Sequence, residues 1–336
     1  MRHFTSSLLI TLIGLSVAYY WAGVGGLVVV SILAVMEISL SFDNAVVNAT
    51  VLKDMAPRWQ RRFLTWGMIV AVFVVRLLFQ ILIVAVVSGQ SLMSVTQMAL
   101  QAPDEYARNL EASHVQISAF GGMYLLLVFF SFLFQKDKSL HWLNWLERRL
   151  TQVGKLESIE IVLALALLLV AQSLLPQQEK LHALTAGVFG VILFVIIKSV
   201  SELFEGAGPA TGATIRRSGL VSFLYLEMLD LSFSLDGVIG AFAITRDVVV
   251  ILLGLTVGAW FVRSLTIFLV RKRTLEEYLY LEHGAHYAIG ALAVLMLADM
   301  SVPVPEMMTG LIGIVFILWS FLSSIRHNRR NRQQNP

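Results

Sequence analysis

The sequence predicts an all-α polytopic membrane protein of about ten transmembrane helices, three of which recur as an inverted repeat. Three observations predict it. The apolar residues, 57% of 336, fall in long blocks, and only 14% of residues are charged, where a soluble chain would carry about a quarter. Every second connection between the blocks is basic. One acidic, hydroxyl-rich motif occurs twice inside apolar segments.

The N-terminal stretch MRHFTSSLLITLIGLSVAYYWAG starts like a signal peptide. Its AYYW offers a poor small-residue cleavage site, and another apolar run follows at once, so it reads as an uncleaved first span. Hydropathy places spans near 5–22, 25–50, 63–88, 115–134, 159–175, 181–201, 219–245, 247–270, 285–302 and 307–325. The chain divides into a first span (1–24), repeat one (25–134), a cytoplasmic interfacial helix or loop (135–158), spans five and six with their loop (159–218), repeat two (219–302), and a last span with a basic tail (303–336).

Lys53, Arg58, Arg61 and Arg62 follow span two. Lys136, Lys138, Arg148, Arg149 and Lys155 follow span four, and Arg216 and Arg217 follow span six. Arg271, Lys272 and Arg273 follow span eight, and Arg326, Arg329, Arg330 and Arg332 follow span ten. The positive-inside rule then puts both termini in the cytoplasm, with the inner membrane of a bacterium as the expected location. The net charge of +3 reports orientation, and the basic tail reads as a signal at the lipid surface rather than a nucleic-acid site. Absence of cysteine excludes disulfides, thiolate metal sites and cysteine nucleophiles.

In the connection after span four, SLHWLNWLERRL puts Trp142, Trp145 and Leu146 on one helical face. This predicts a helix lying on the inner leaflet, with an amphipathic helix packed against the bundle as the alternative. The 89–113 connection reads as an exposed outer loop with one helical turn.

The first motif copy is EISLSFDNAVVNATVLKD from Glu37 to Asp54, and the second is DLSFSLDGVIGAFAITRD from Asp230 to Asp247. Glu37 falls on Asp230, Ser39 on Ser232, Ser41 on Ser234 and Asp43 on Asp236. The likeness continues: Gly67 aligns with Gly254, Arg76 with Arg263, His114 with His283 and Gly121 with Gly290. Spans two to four thus correspond to spans seven to nine. An odd number of spans separates the copies, so they are inverted, an architecture that places substrate at the membrane midplane between related helices.

Intramembrane carboxylates cost about 2.5–3.5 kcal/mol each on insertion scales, and they mark ion or substrate paths. Glu37, Ser41, Asn44 and Asn48 form one helical stripe, as do Glu227, Asp230 and Ser234. Asp43 and Asp236 point roughly 100° or more away from those stripes on an unbroken helix. Either the helices unwind near Ser41–Asn44 and Ser234–Gly237, or each Asp faces a different neighbour. The donor set is all oxygen and suits hard divalent cations such as Mn²⁺, Mg²⁺ and Ca²⁺. Intramembrane Arg76 and Arg263 need partners, and the motif carboxylates are the candidates, either as releasable counter-ions or as permanent packing pairs. His114 and His283, at span ends, read as capping or gating residues. Lys198, Glu202 and Glu205 read as snorkelling groups, and Asp299 as an outer-end residue.

At these residues a family resemblance arises. The first motif resembles the E-x-x-L-S-x-D-N signature of TerC-type integral membrane proteins, and EMLDLSFSLDGVIGAF resembles that family's second signature. The FSLDGVIGAFAIT form is similar to a TerC-related branch without a defined function. The resemblance covers spans two to four and seven to nine. It implies links to tellurite resistance and Mn²⁺ export, and an ion-binding set of Glu37, Asp43, Asn44, Glu227, Asp230 and Asp236, with Ser41, Asn48 and Ser234 supporting. The chain departs from the family in carrying Asp236–Gly237 with no nearby Pro.

The function expected is secondary transport of a divalent cation, with no tightly bound cofactor and with lipid and metal ions as partners. A carboxylate set of this kind can exchange protons for metal. A metal-sensing or assembly partner in the membrane is one alternative. An intramembrane aspartyl hydrolase using Asp43 and Asp236 is another, against which stands the lack of a Gly-x-Gly-Asp pattern.

Overall fold

The computed structural model describes residues 4–53, 55–67, 70, 74, 78–135, 140, 142–143, 147, 158–205, 219–245, 247–271 and 278–334. Among them the structure is helical. In chain order the α-helices are α1 (Thr5–Leu40), α2 (Phe42–Leu52), α3 (Pro57–Arg62), α4 (Phe79–Ser88), α5 (Leu92–Gln101), α6 (Pro103–Ala112) and α7 (His114–Leu133). There follow α8 (Ile159–Ser173), α9 (Gln177–Glu205), α10 (Gly219–Ile244), α11 (Val248–Arg271), α12 (Leu281–Asp299) and α13 (Glu306–Gln334). Phe63–Gly67 continues α3 as a π-helical turn. Among the described residues six helices are long and apolar enough to cross a membrane, and Ile159–Ser173 is a shorter apolar helix. The protein is an integral membrane protein.

Helix α1 is two arms. Ala22 leaves helical geometry and Gly23 adopts φ 64°, a left-handed value that side chains disfavour. The arms then run in opposite directions along α11. On the first arm, the Trp21 indole N–H donates to the Asp247 carboxylate at 2.9 Å, Gly14 meets Val257, and the Ser7 hydroxyl donates to the Trp260 carbonyl at 3.1 Å. On the second arm, Leu33 packs on Gly254 and Glu37 on Gly258. Gly254 and Gly258 form a small-xxx-small stripe, which lets the backbones approach closely where lipid offers no hydrophobic drive between helices.

Helices α7 and α12 pack antiparallel at the centre: Gly122 meets Leu297 and Ala293, and Gly290 meets Phe129. They are the most enclosed of the six, and Tyr124, Leu125, Ala285 and Ile289 are buried in the main core. The first arm of α1, α8 and α9 instead expose Leu8, Leu12, Val162, Leu169 and Phe189, as lipid-facing helices do.

Three expectations need correction. The 89–113 connection is no exposed loop. Ser91 caps α5 by accepting from the Ser94 amide, and Pro103 opens α6. Tyr106, Ala107 and Leu110 are buried, with the Tyr106 ring 5.5 Å from that of Phe242. Burial raises the Tyr106 phenol above its ordinary range. The two helices pack against the bundle because Val95 and Ala99, like Tyr106 and Leu110, are one turn apart on an inward face. The segment after span four, in its described residues, also packs against the bundle rather than lying on the leaflet. The Trp142 ring sits 5.6 Å from Tyr287 and 5.3 Å from Trp319, and Glu147 is fully buried. Trp145 and Leu146 lie outside the described residues. Lys198 does not snorkel freely, since it pairs with Glu160 at 2.9 Å.

Candidate functional site

The first motif straddles a slight break between α1 and α2. Ser41 departs from helical geometry at φ −101°, ψ 17°, yet the ladder passes through it: Ser41 N–H donates to Glu37 O at 2.9 Å and Ala45 N–H to Ser41 O at 3.2 Å. The Asn44 backbone N–H donates to the adjacent Asp43 carboxylate at 2.9 Å. The helix bends here and is not unwound. In the second copy the backbone runs as one helix through Ser234–Gly237, so the break considered there is absent. The side chains of Ser234 and Asp236 lie outside the described residues, as does Arg76.

The two acids of the first motif go to different places, as six residues of helix between them require. Glu37 is buried, accepts from the Ser41 hydroxyl at 2.9 Å, and lies flat on Gly258, where an added Cβ would come within 2.5 Å of its own Cβ. Asp43, also buried, faces the last helix: its Oδ2 would stand 2.9 Å from a Cβ at Gly313. Of the two readings left by the sequence, separate neighbours is the one that applies to Asp43.

The motifs meet through Asn44. Its amide Nδ2 donates to Asp230 Oδ1 at 2.6 Å, joining α2 to α10. The Oδ1 atoms of Asn44 and Asn48 are buried without a hydrogen-bond partner. They are one turn apart on the same face of α2. Beside Asn48 is a cavity of about 20 Å³, lined by Asn48, Asp230, Arg263, Thr266 and apolar side chains of Phe63, Leu64, Ala259 and Val262, which is room for one water-sized guest. Glu227 stands one turn before Asp230 on α10, against Gly67, where a Cβ would come within 2.6 Å of its Oε1.

Among the described residues no motif carboxylate forms an ion pair with Arg263. Its Nε donates to the Leu64 carbonyl at 2.6 Å, and its guanidinium lies 5.5 Å from the Trp260 ring centre. The π-helical turn at Phe63–Gly67 frees that carbonyl, since i→i+5 spacing interrupts the regular ladder. Sequence reasoning passed over Thr266, Gly258 and Gly313, and marked Gly67 only as the mate of Gly254. The small-xxx-small spacing of Gly254 and Gly258 was the available signal for Gly258; nothing marked Thr266 or Gly313. Among the described residues no group of three or more His, Asp or Glu gathers to hold a metal. Glu37, Asn44, Asn48, Glu227 and Asp230 are brought to the α2, α10 and α11 interface, and Asp43 to the opposite side of α2.

A family model described as a protein of unknown function, DUF475, matches residues 42–331. The chain belongs to the DUF475 family. The DUF475 match opens at Phe42, so it takes in Asp43, Asn44, Asn48 and the whole second motif. No curated protein matches the chain, and no solved structure does.

Proposed function

We propose that this DUF475 protein is a secondary transporter that exports a divalent cation, Mn²⁺ foremost, from the cytoplasm across a bacterial inner membrane. One observation carries the reading: among the described residues the buried Asn48 Oδ1 lacks a hydrogen-bond partner, and Asn48 lines a one-guest cavity with Asp230, whose carboxylate the Asn44 amide holds. Native proteins rarely leave buried acceptors unmet without a reason. A bound hard cation would satisfy the Asn48 oxygen, and amide and carboxylate oxygens are the donors such ions take. The mixed set is modest in charge, which suits a substrate that must leave again. The resemblance of both motifs to TerC-type proteins points the same way.

The span count of ten and the inverted repeat belong to this proposal, and packing contacts support the repeat. Gly254 meets Leu33, while its aligned mate Gly67 meets Glu227, adjacent to Leu226, the mate of Leu33. Gly290 meets Phe129, and Gly122, next to its mate Gly121, meets Leu297. Each pair lands within one position of its counterpart, as a two-fold axis in the membrane plane requires. The reversal at Gly23 supports two separate spans before α2.

Mn²⁺ flux in proteoliposomes tests the function, with Mg²⁺ and Ca²⁺ as competitors. Flux in the wild type that disappears in Asp230→Asn and Asn48→Leu supports the site. Absence of flux for all three ions in folded protein, with a pH gradient in either direction, overturns the transporter reading and favours a membrane partner.

A further inference from the structure

The wall of the one-guest cavity carries three oxygen-bearing side chains and one cation. Asn48 brings an amide oxygen that no hydrogen bond meets, and Asp230 brings a carboxylate. Thr266 is buried in the same wall, and its hydroxyl donates to the Val262 carbonyl at 3.0 Å. That bond spends its one proton, so Thr266 offers the cavity lone pairs. Arg263 is the cation.

An arginine inside a membrane span ordinarily pairs with a carboxylate. Arg263 shares the wall with Asp230, yet its Nε donates to the Leu64 carbonyl at 2.6 Å. Two features hold it there. Leu64 lies in the π-helical turn Phe63–Gly67, and that turn is anchored on α10 by the Phe63 ring, 5.9 Å from the ring of Phe223. Trp260 stands three residues before Arg263 on the same face of α11, with its ring centre 5.5 Å from the guanidinium. Phe63 and Leu64 line the cavity as well, so the tie joins one residue of the wall to another. Neither a releasable counter-ion nor a permanent carboxylate pair describes this arrangement.

A cavity with room for one guest sets each residue of its wall within a side chain's length of that guest. The oxygens attract a cation there, and the guanidinium repels it. The repulsion scales with the charge of the guest, and it is stronger beside a low-dielectric wall than in water. We infer that Arg263 is a fixed opposing charge that weakens the hold of the cavity on a divalent cation and so sets how fast the ion leaves. On the transport reading, which this role presupposes, a site of unopposed carboxylate and amide oxygens would keep its substrate too long. Arg263 is then a release-determining residue and no ligand.

Isothermal titration of Mn²⁺ into the purified full chain tests this. Arg263→Gln removes the charge and keeps a donor for the Leu64 carbonyl, while Arg263→Met keeps only the apolar stem. In both, the Kd for Mn²⁺ should fall about ten-fold or more. Arg263→Lys keeps the charge and should keep the wild-type Kd. In proteoliposomes, KM should fall in the two neutral variants and the maximal rate should fall with it, because release then limits turnover. A merely structural arginine predicts weaker binding on its removal, not tighter. Unchanged or weaker binding in the folded neutral variants, where wild type binds Mn²⁺, overturns the role and leaves the transport reading standing. Equal tightening in Arg263→Lys overturns it too, as does failure of both neutral variants to fold. Tighter binding in the neutral variants with no flux in any protein keeps the role of Arg263 and removes the transport reading. Absence of Mn²⁺ binding in wild type and variants alike overturns both.

Discussion

A buried amide oxygen without a partner costs about 1–3 kcal/mol, and Asn44 and Asn48 carry one each. Asn48→Leu removes that cost while deleting a donor to the cation. Thermal stability should therefore hold or rise as Mn²⁺ flux falls roughly 10–100-fold; retention of flux in the folded variant would remove Asn48 from the site. Gly258 makes a complementary case. Leucine there must displace Glu37, and overpacking of this kind costs about 1–3 kcal/mol. Detergent melting curves of Gly258→Leu should shift down, and the flux of any folded fraction should fall with them. Asn44, Asn48 and Asp230 were legible as polar intrusions into apolar helices. Their meeting was not, because helical spacing says which residues share a face and leaves open what that face meets. Arg263 illustrates the gap: a mid-span cation demands a partner, but only the π-helical turn at Phe63–Gly67 offers it the Leu64 carbonyl.

Among the elements, the reversal inside α1 depends on one residue. Gly23 takes φ 64°, whereas nothing approaches a Cβ at Gly25. Gly23→Val should destabilise by about 1–3 kcal/mol, and Gly25→Ala should stay within about 0.5 kcal/mol. Equal melting temperatures for the two would show that the arms do not need the left-handed turn. The packing of α5 and α6 gives a pH expectation. The Tyr106 phenol is raised by burial, so the fold favours its neutral form. Its contribution is fully present below the ordinary tyrosine value near 10 and is lost as pH climbs through the higher folded value. Unfolding followed from neutral to strongly alkaline pH should show that extra loss in wild type and not in Tyr106→Phe. This packing was missed in sequence because polar composition dominated the reading. The inward face of Tyr106 and Leu110 was available from their spacing.

For the whole molecule, the alternation of basic connections predicts that Gln178 lies outside and Arg329 inside. Both are exposed, so cysteines placed there should react with impermeant thiol reagents from opposite sides, Gln178→Cys from the periplasmic face and Arg329→Cys from the cytoplasmic one. Labelling of both from one side would break the ten-span arrangement. What the sequence determined by itself is the membrane-embedded, helical character of the protein, since apolar length and hydrogen-bond closure leave a spanning segment few choices, and which of its residues are out of place in lipid. The tertiary structure decided where those residues look. It turned Asp43 to the last helix, joined Asn44 to Asp230, gave Arg263 a backbone carbonyl and buried Glu147 beneath α12. These outcomes depend on close approaches at Gly67, Gly258 and Gly313. In an apolar solvent, packing and polar satisfaction choose among helix faces that hydropathy treats as equal.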